Sequence, residues 1–301
     1  MAKSEAKNIV FKEMGEDDEW HQYTISSRFL KFLERHCKLR VVRKLGEGMV
    51  KTGLKAVNLG NPDYPQIVVI LVALGGYCEE VTPYNDYMLE LRTLQSSGVL
   101  PQKDMMKIYE PIVCPYAPTS DKSYCPGVTR TSYTLQVVEY IDSILLEILY
   151  RHRFDTKRCK VAMVANIWQQ LYKIYLEIGR ANYFYGDVSS DNIGVRDGKL
   201  VMIDLSLEKE TGDISNKKLF EQAKEDVIDS ILFYYSNDDV DEAMKEGAWK
   251  TIGFVPFMSS KVEAASISKA LNKLVTRSFE SGRDYMIYEE FKDLHVLGKL
   301  L

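Results

Sequence analysis

Residues 185–206 read YGDVSSDNIGVRDGKLVMIDLS, and the spacing within them decides how the rest of the chain is read. Two short β-like pieces, NIGVRDG and KLVMIDL, meet at Asp197-Gly198, a dipeptide that favours a tight hairpin because both central residues of that turn need positive φ. The hairpin puts Asn192 at its entry, Asp204 at its exit and Asp187 in the loop before it. A lone Asp or Asn in a loop is usually a turn former. Three in this order offer hard oxygen ligands for Mg²⁺ and one carboxylate able to take a proton from a hydroxyl.

Around this stretch the chain reads as helix. VAMVANIWQQLYKIYLEIGRANY before it has the apolar content of a long helix that ends near Gly179-Arg180-Ala181-Asn182. After it come three further helical segments, KKLFEQAKEDVIDSILFYY, SISKALNKLVTRSFES and DYMIYEEFKDLHVL. Residues before 141 have a different character. Strand candidates LRVVRKLG, VKTGLKAVNL and QIVVILVAL are followed by a helix in TPYNDYMLELRTLQSSG, with Thr82 as cap, Pro83 in its first position and Gly98 at its end. Two more strands are expected around MMKIYEPIV and YTLQVVEYI, with a loop over 115–131 between them. SSRFLKFLERH, at 26–36, reads as an earlier helix capped by Ser26 or Ser27, whose apolar face has only the following sheet to cover.

With 301 residues, 46% of them hydrophobic, the chain can bury a substantial core. A net charge of −4 gives no electrostatic case for nucleic acid. The longest apolar run, IVVILVAL, is strand-sized rather than membrane-spanning, and the polar start lacks the apolar core of a signal peptide, so a cytoplasmic location is expected. The five cysteines form no C-x-x-C pair and read as buried thiols, with Cys114 and Cys125 able to bridge in an oxidising compartment. His21, His36, His152 and His295 show no paired spacing and are not needed for the chemistry.

Residues 45–56, LGEGMVKTGLKA, form a glycine-spaced turn between two strands, the kind of loop whose backbone N–H groups can cover phosphates. A lysine stands where a third glycine would be expected. The next strand ends Val72-Ala73-Leu74-Gly75 with no lysine, so Lys51, with Lys55 on the same face by period two as the alternative, is the candidate cation near this turn.

The ordered set Asp187, Asn192, Ile203-Asp204-Leu205-Ser206 resembles the catalytic loop and metal-binding motif of the eukaryotic protein-kinase-like superfamily. Its loop lysine is similar to that of the with-no-lysine kinases and to that of the protein O-mannose kinase group; the latter shares a G-E-G-x-V-K loop and acts in the secretory lumen. The resemblance implies an α+β, bilobal kinase-like fold with a small antiparallel five-stranded lobe and a mainly helical large lobe. It implies an N-terminal helical extension over 1–38, an N-lobe over 39–141 and a C-lobe over 142–301. Gly46, Glu47 and Gly48 would cover the phosphates of ATP, with Lys51 held by Glu90. Glu139 and Ile141 would meet the adenine, with Val138 as gatekeeper. Asn192 and Asp204 would hold Mg²⁺ or Mn²⁺, Asp187 would act as base, and Asp226 would tie down the catalytic loop.

The chain departs from the family pattern in Gly186 for the loop arginine, Leu205-Ser206 for Phe-Gly, and Ser189 for a lysine on the transferring phosphate. No A-P-E motif follows the short run from Asp204. Transfer to protein serine or threonine is the first expectation, with a sugar or other small hydroxyl compound as alternative acceptor. A pseudokinase that binds nucleotide or a partner, and AMP transfer to a side chain, are the other readings.

Overall fold

The computed structural model describes residues 9–14, 20–47, 51–72, 81–115, 132–210, 215–227 and 261–280. The chain is mixed α+β, with six helices among the described residues and its largest sheet antiparallel. It divides into two compact units, Met1–Val99 with Lys107–Tyr140, and Leu100–Met106 with Ile141–Leu301.

The first unit opens with a hairpin, β1 (Ile9–Met14) and β2 (Trp20–Ile25), paired from Ile9↔Ile25 to Met14↔Trp20. The expected N-terminal extension is therefore strand as well as helix. Helix α1 (Ser27–His36) follows, capped by Ser26, whose hydroxyl accepts from Phe29 N at 3.3 Å.

Five strands, β3 (Leu39–Glu47), β4 (Lys51–Asn58), β5 (Gln66–Val72), β6 (Ile112–Pro115) and β7 (Ser132–Glu139), form an antiparallel sheet in the order β3-β4-β5-β7-β6. Alternation along the strands sends Leu54, Ala56, Ile67, Val69, Leu135 and Val137 to one face, where they are buried with Phe29, Leu30 and Leu33 of α1. Helix α1 thus covers the sheet, as its sequence required. Burying each of the Leu, Ile, Val and Phe side chains contributes on the order of 2 kcal/mol, and Ala56 less.

Helix α2 (Val81–Ser96) begins a residue before Thr82 and ends in a Schellman turn. Gly98, at φ 74°, donates to Gln95 O at 3.1 Å, and Val99 N to Leu94 O at 3.0 Å. Gln136 Nε2 of β7 reaches Asn85 Oδ1 of α2 at 2.6 Å.

The expected strand over 105–113 is not continuous. Ile108 bridges Val138 and Tyr109 N donates to Val137 O in the first unit, whereas Met105 bridges Met202 in the second. Only Ile112–Pro115 forms a strand, because the run divides its hydrogen bonds between two different partners.

The second unit contains β8 (Ser143–Ile144), α3 (Leu145–Arg151), α4 (Lys157–Gly179), β9 (Tyr183–Tyr185), β10 (Ile193–Arg196), β11 (Lys199–Met202), β12 (Leu207–Lys209), α5 (Asn216–Glu225) and α6 (Lys261–Glu280). Helix α4 buries 13 of its 23 residues, with Trp168 and Tyr172 meeting Phe220 of α5 edge-on at 5.0 and 5.3 Å. Lys160, also buried, pairs with Glu263 of α6 at 2.9 Å. The β10–β11 turn has Asp197 at φ 51° and Gly198 at φ 74°, as the dipeptide predicted.

The remainder of the expected helix over 217–235, the helix over 284–297, the loop 116–131 and Gly48 lie outside the described residues. Cys37 is not a free thiol but disulfide-bonded, which corrects the reading of it as a buried thiol; its position at the C-cap of α1 depends on packing that spacing does not reveal.

Candidate active site

Two strand pairs frame the Asp187 loop. Pair β9–β12 runs from Leu207↔Tyr185 to Lys209↔Tyr183, and Gly186 N extends it by donating to Ser206 O at 3.0 Å. Asp187 emerges one residue later, exposed. A Cβ at Gly186 would lie 2.7 Å from Glu208 Oε1, so a carboxylate stands against this glycine.

Asn192 connects the three predicted polar residues. Its Nδ2 donates to Asp187 O and Asp187 Oδ2, both at 3.1 Å. Its carbonyl accepts from Ile203 N at 3.1 Å and Asp204 N at 3.4 Å. The amide orientation follows from this network, since the nitrogen faces two acceptors and leaves Oδ1 as an oxygen donor for a ligand. Asp187, Asn192 and Asp204 are therefore brought together.

Two supports were not legible as such in the sequence. The Tyr185 phenol donates to the Asp204 carbonyl, and Ser206 Oγ donates to Asp204 Oδ1 at 3.3 Å. A hydroxyl two residues after an aspartate was the available signal for the second. Ser189 is buried and its hydroxyl donates to Asp191 Oδ1 at 2.5 Å. Leu205 is buried.

Asp226 is buried and accepts from the Tyr175 phenol and from Gln222 Nε2 at 2.9 Å. Burial, followed by the neighbouring Asp226 charge and hydrogen bond, raises the Tyr175 pKa well above its ordinary 10.0. Tyr175 thus remains a donor throughout the neutral range. On the other side of the hairpin, Gly194 lies so close to Ile141 and Ile203 that a Cβ would be 2.7 and 2.8 Å from their Cγ2 atoms.

Among the described residues no group of three or more His, Cys, Asp or Glu side chains could enclose a metal. Asn192 and Asp204 form an oxygen-only pair, which suits Mg²⁺ when phosphate oxygens complete the coordination.

In the first unit, Gly46 pairs with Gly53 across β3–β4, and a Cβ at Gly46 would meet nothing within 4 Å. Glu47 ends β3 opposite Thr52, and Lys51 begins β4 opposite Val72. Lys51 and Lys55 are half-buried on the face opposite the α1 core, as period two predicted. Lys55 Nζ lies 3.6 Å from the centroid of the Tyr140 ring, which commits the alternative cation to a cation–π contact. Glu90 is exposed on α2. Val138 is buried, and Glu139 grips Lys107 twice, N to Lys107 O at 2.8 Å and Oε2 from Lys107 N at 3.1 Å.

No helix among the described residues is long and apolar enough to cross a membrane. No protein-family model matches the chain, and no curated protein matches it significantly.

Proposed function

We propose that this chain is an ATP-dependent phosphotransferase of bilobal kinase-like architecture that moves a γ-phosphate to a hydroxyl. The observation that carries the reading is the Asn192 side chain, which holds Asp187 with its nitrogen while its backbone carbonyl fixes Asp204. Asp187 is assigned the role of base: the bond to Oδ2 orients its carboxylate, and Oδ1 faces the acceptor hydroxyl and takes its proton. Asn192 Oδ1 and the Asp204 carboxylate are the metal ligands. ATP with Mg²⁺ or Mn²⁺ supplies the phosphoryl group and neutralises its charge when bound. Gly46, Glu47, Gly48 and Lys51 are assigned to the phosphates, with Glu90 orienting Lys51, and Glu139 and Ile141 to the adenine.

A small hydroxyl compound is favoured over an extended peptide as acceptor, because helix α5 begins at Asn216 and leaves little chain after Asp204 for a docking platform. The Cys37 disulfide favours an oxidising compartment over the cytoplasm. A nucleotide-binding module without transfer is the second reading, supported by the sequestered Ser189.

Label transfer from γ-labelled ATP with Mg²⁺ into a protein and glycan extract tests the proposal. Transfer by the wild type that is lost in both Asp187→Ala and Lys51→Ala supports it. Wild-type protein that is stabilised by ATP yet transfers no label supports the second reading.

A further inference from the structure

The helix that covers the sheet also presents a charged outer face. Arg28, Lys31 and Arg35 recur at helical spacing opposite the buried Phe29, Leu30 and Leu33, and all three are exposed. The helix's single acid, Glu34, is already taken by Arg40 at 2.8 Å. No described carboxylate pairs with Arg28, Lys31 or Arg35. Three uncompensated cations on two turns stand out in a chain of net charge −4.

These side chains surround a depression of about 370 Å³ lined by Ser27, Arg28, Lys31, Phe32, Arg35 and His36. Its volume is at the lower end of the roughly 300–1,000 Å³ typical of small-molecule sites. Arg28 and Arg35 are separated by about 10 Å along the helix axis, enough for one or two phosphate groups and short for a polyanion track. The Phe32 and His36 rings pack on one another, with centroids 4.9 Å and planes 30° apart; Phe32 also packs on the sheet core, and the exposed His36 ring is the aromatic wall of the depression. Guanidinium forks match phosphate oxygens two at a time, and the wall offers a face to a ring.

We infer that the outer face of α1 binds a small molecule carrying one or two phosphate groups on a ring. The site does not depend on the kinase reading, since α1 packs on the sheet face opposite Lys51. Its strength falls with salt because the cations are exposed.

Calorimetric titration of the full chain with glucose 6-phosphate, phenyl phosphate and inorganic phosphate at low salt tests it. The expected result is tighter binding of at least one ring phosphate than of inorganic phosphate. That binding weakens at least about tenfold in Arg28→Gln/Arg35→Gln, whose melting temperature is unchanged, and is retained in Lys51→Ala. If the double variant melts early, Arg35→Gln alone is measured against the same expectation of weakened binding. Unaltered affinity in the folded arginine variant, loss in Lys51→Ala, or no preference for a ring over inorganic phosphate each overturns the inference. So does the absence of binding by all three probes.

Discussion

Two hairpins in this molecule use glycine for opposite purposes. The β10–β11 turn is closed by Asp197 and Gly198 in the left-handed region, and Gly194 on its first strand is pressed between Ile141 and Ile203. The β3–β4 connection has register shifts at Val41/Arg43 and Lys44/Gly46, and open space beside Gly46. One hairpin spends its glycines on close packing that fixes the ends where Asn192 and Asp204 stand. The other spends Gly46 on leaving room. Glycine thus tightens one hairpin and loosens the other; under the proposed function the first suits ligand side chains that must stay put and the second a backbone that meets phosphates.

The largest expected effect is at the rigid hairpin's entry. Asn192→Ala removes both the proposed metal oxygen and the grip on Asp187, and label transfer falls by about 10²-fold or more; a rate within twofold of wild type breaks the assignment. Next comes packing. Gly194→Ala forces Ile141 and Ile203 apart and lowers stability in urea unfolding by about 1–3 kcal/mol.

The turn itself gives a smaller value, with Gly198→Ala costing about 1–2 kcal/mol from the left-handed backbone. Gly46→Ala stays within about 0.5 kcal/mol, and equal costs at the two positions would erase the contrast between the hairpins.

The finest test lies beneath the frame. Burial and then the neighbouring Asp104, by charge and hydrogen bond, raise the Glu177 pKa above its ordinary 4.5, while Lys173 and Arg180 oppose the shift. The folded state therefore favours protonated Glu177. Its stabilising contribution is complete below the ordinary value and lost as pH rises through the raised one. Glu177→Gln should flatten that part of the profile of melting temperature against pH; an unchanged profile removes the pair from the account.

The placement of Asp187, Asn192 and Asp204 around one hairpin was readable because its signals are local. Asp-Gly specifies the turn, and the turn fixes the separation of Asn192 and Asp204 whatever surrounds them. Helix α1 was legible for a related reason, since Phe29, Leu30 and Leu33 form one face and the nearest apolar surface was the sheet. Long-range pairings left no comparable trace. The β1–β2 hairpin mixes charged and apolar residues without clean alternation, and Cys37 gives no sign in the sequence of being bonded. Tyr185 and Asp104 gain their roles only when groups distant in sequence arrive beside them.

One detail governs how the protein can be dissected. Segment Leu100–Met106 belongs with residues after 141, although the chain returns to the first unit at Lys107. Met202 N donates to Asp104 O at 3.0 Å, Met106 N donates to Met202 O at 2.8 Å, and Arg196 reaches Lys103 O at 2.6 Å. A fragment starting at Ile141 would leave the outer edge of β11 without the Asp104–Met106 backbone that bonds it and uncover Met202. A fragment ending at Tyr140 would carry Leu100, Met105 and Met106 with their apolar side chains bare. Neither half is a natural product for cloning; severing the chain once, anywhere near its apparent boundary, makes two sticky pieces rather than two domains.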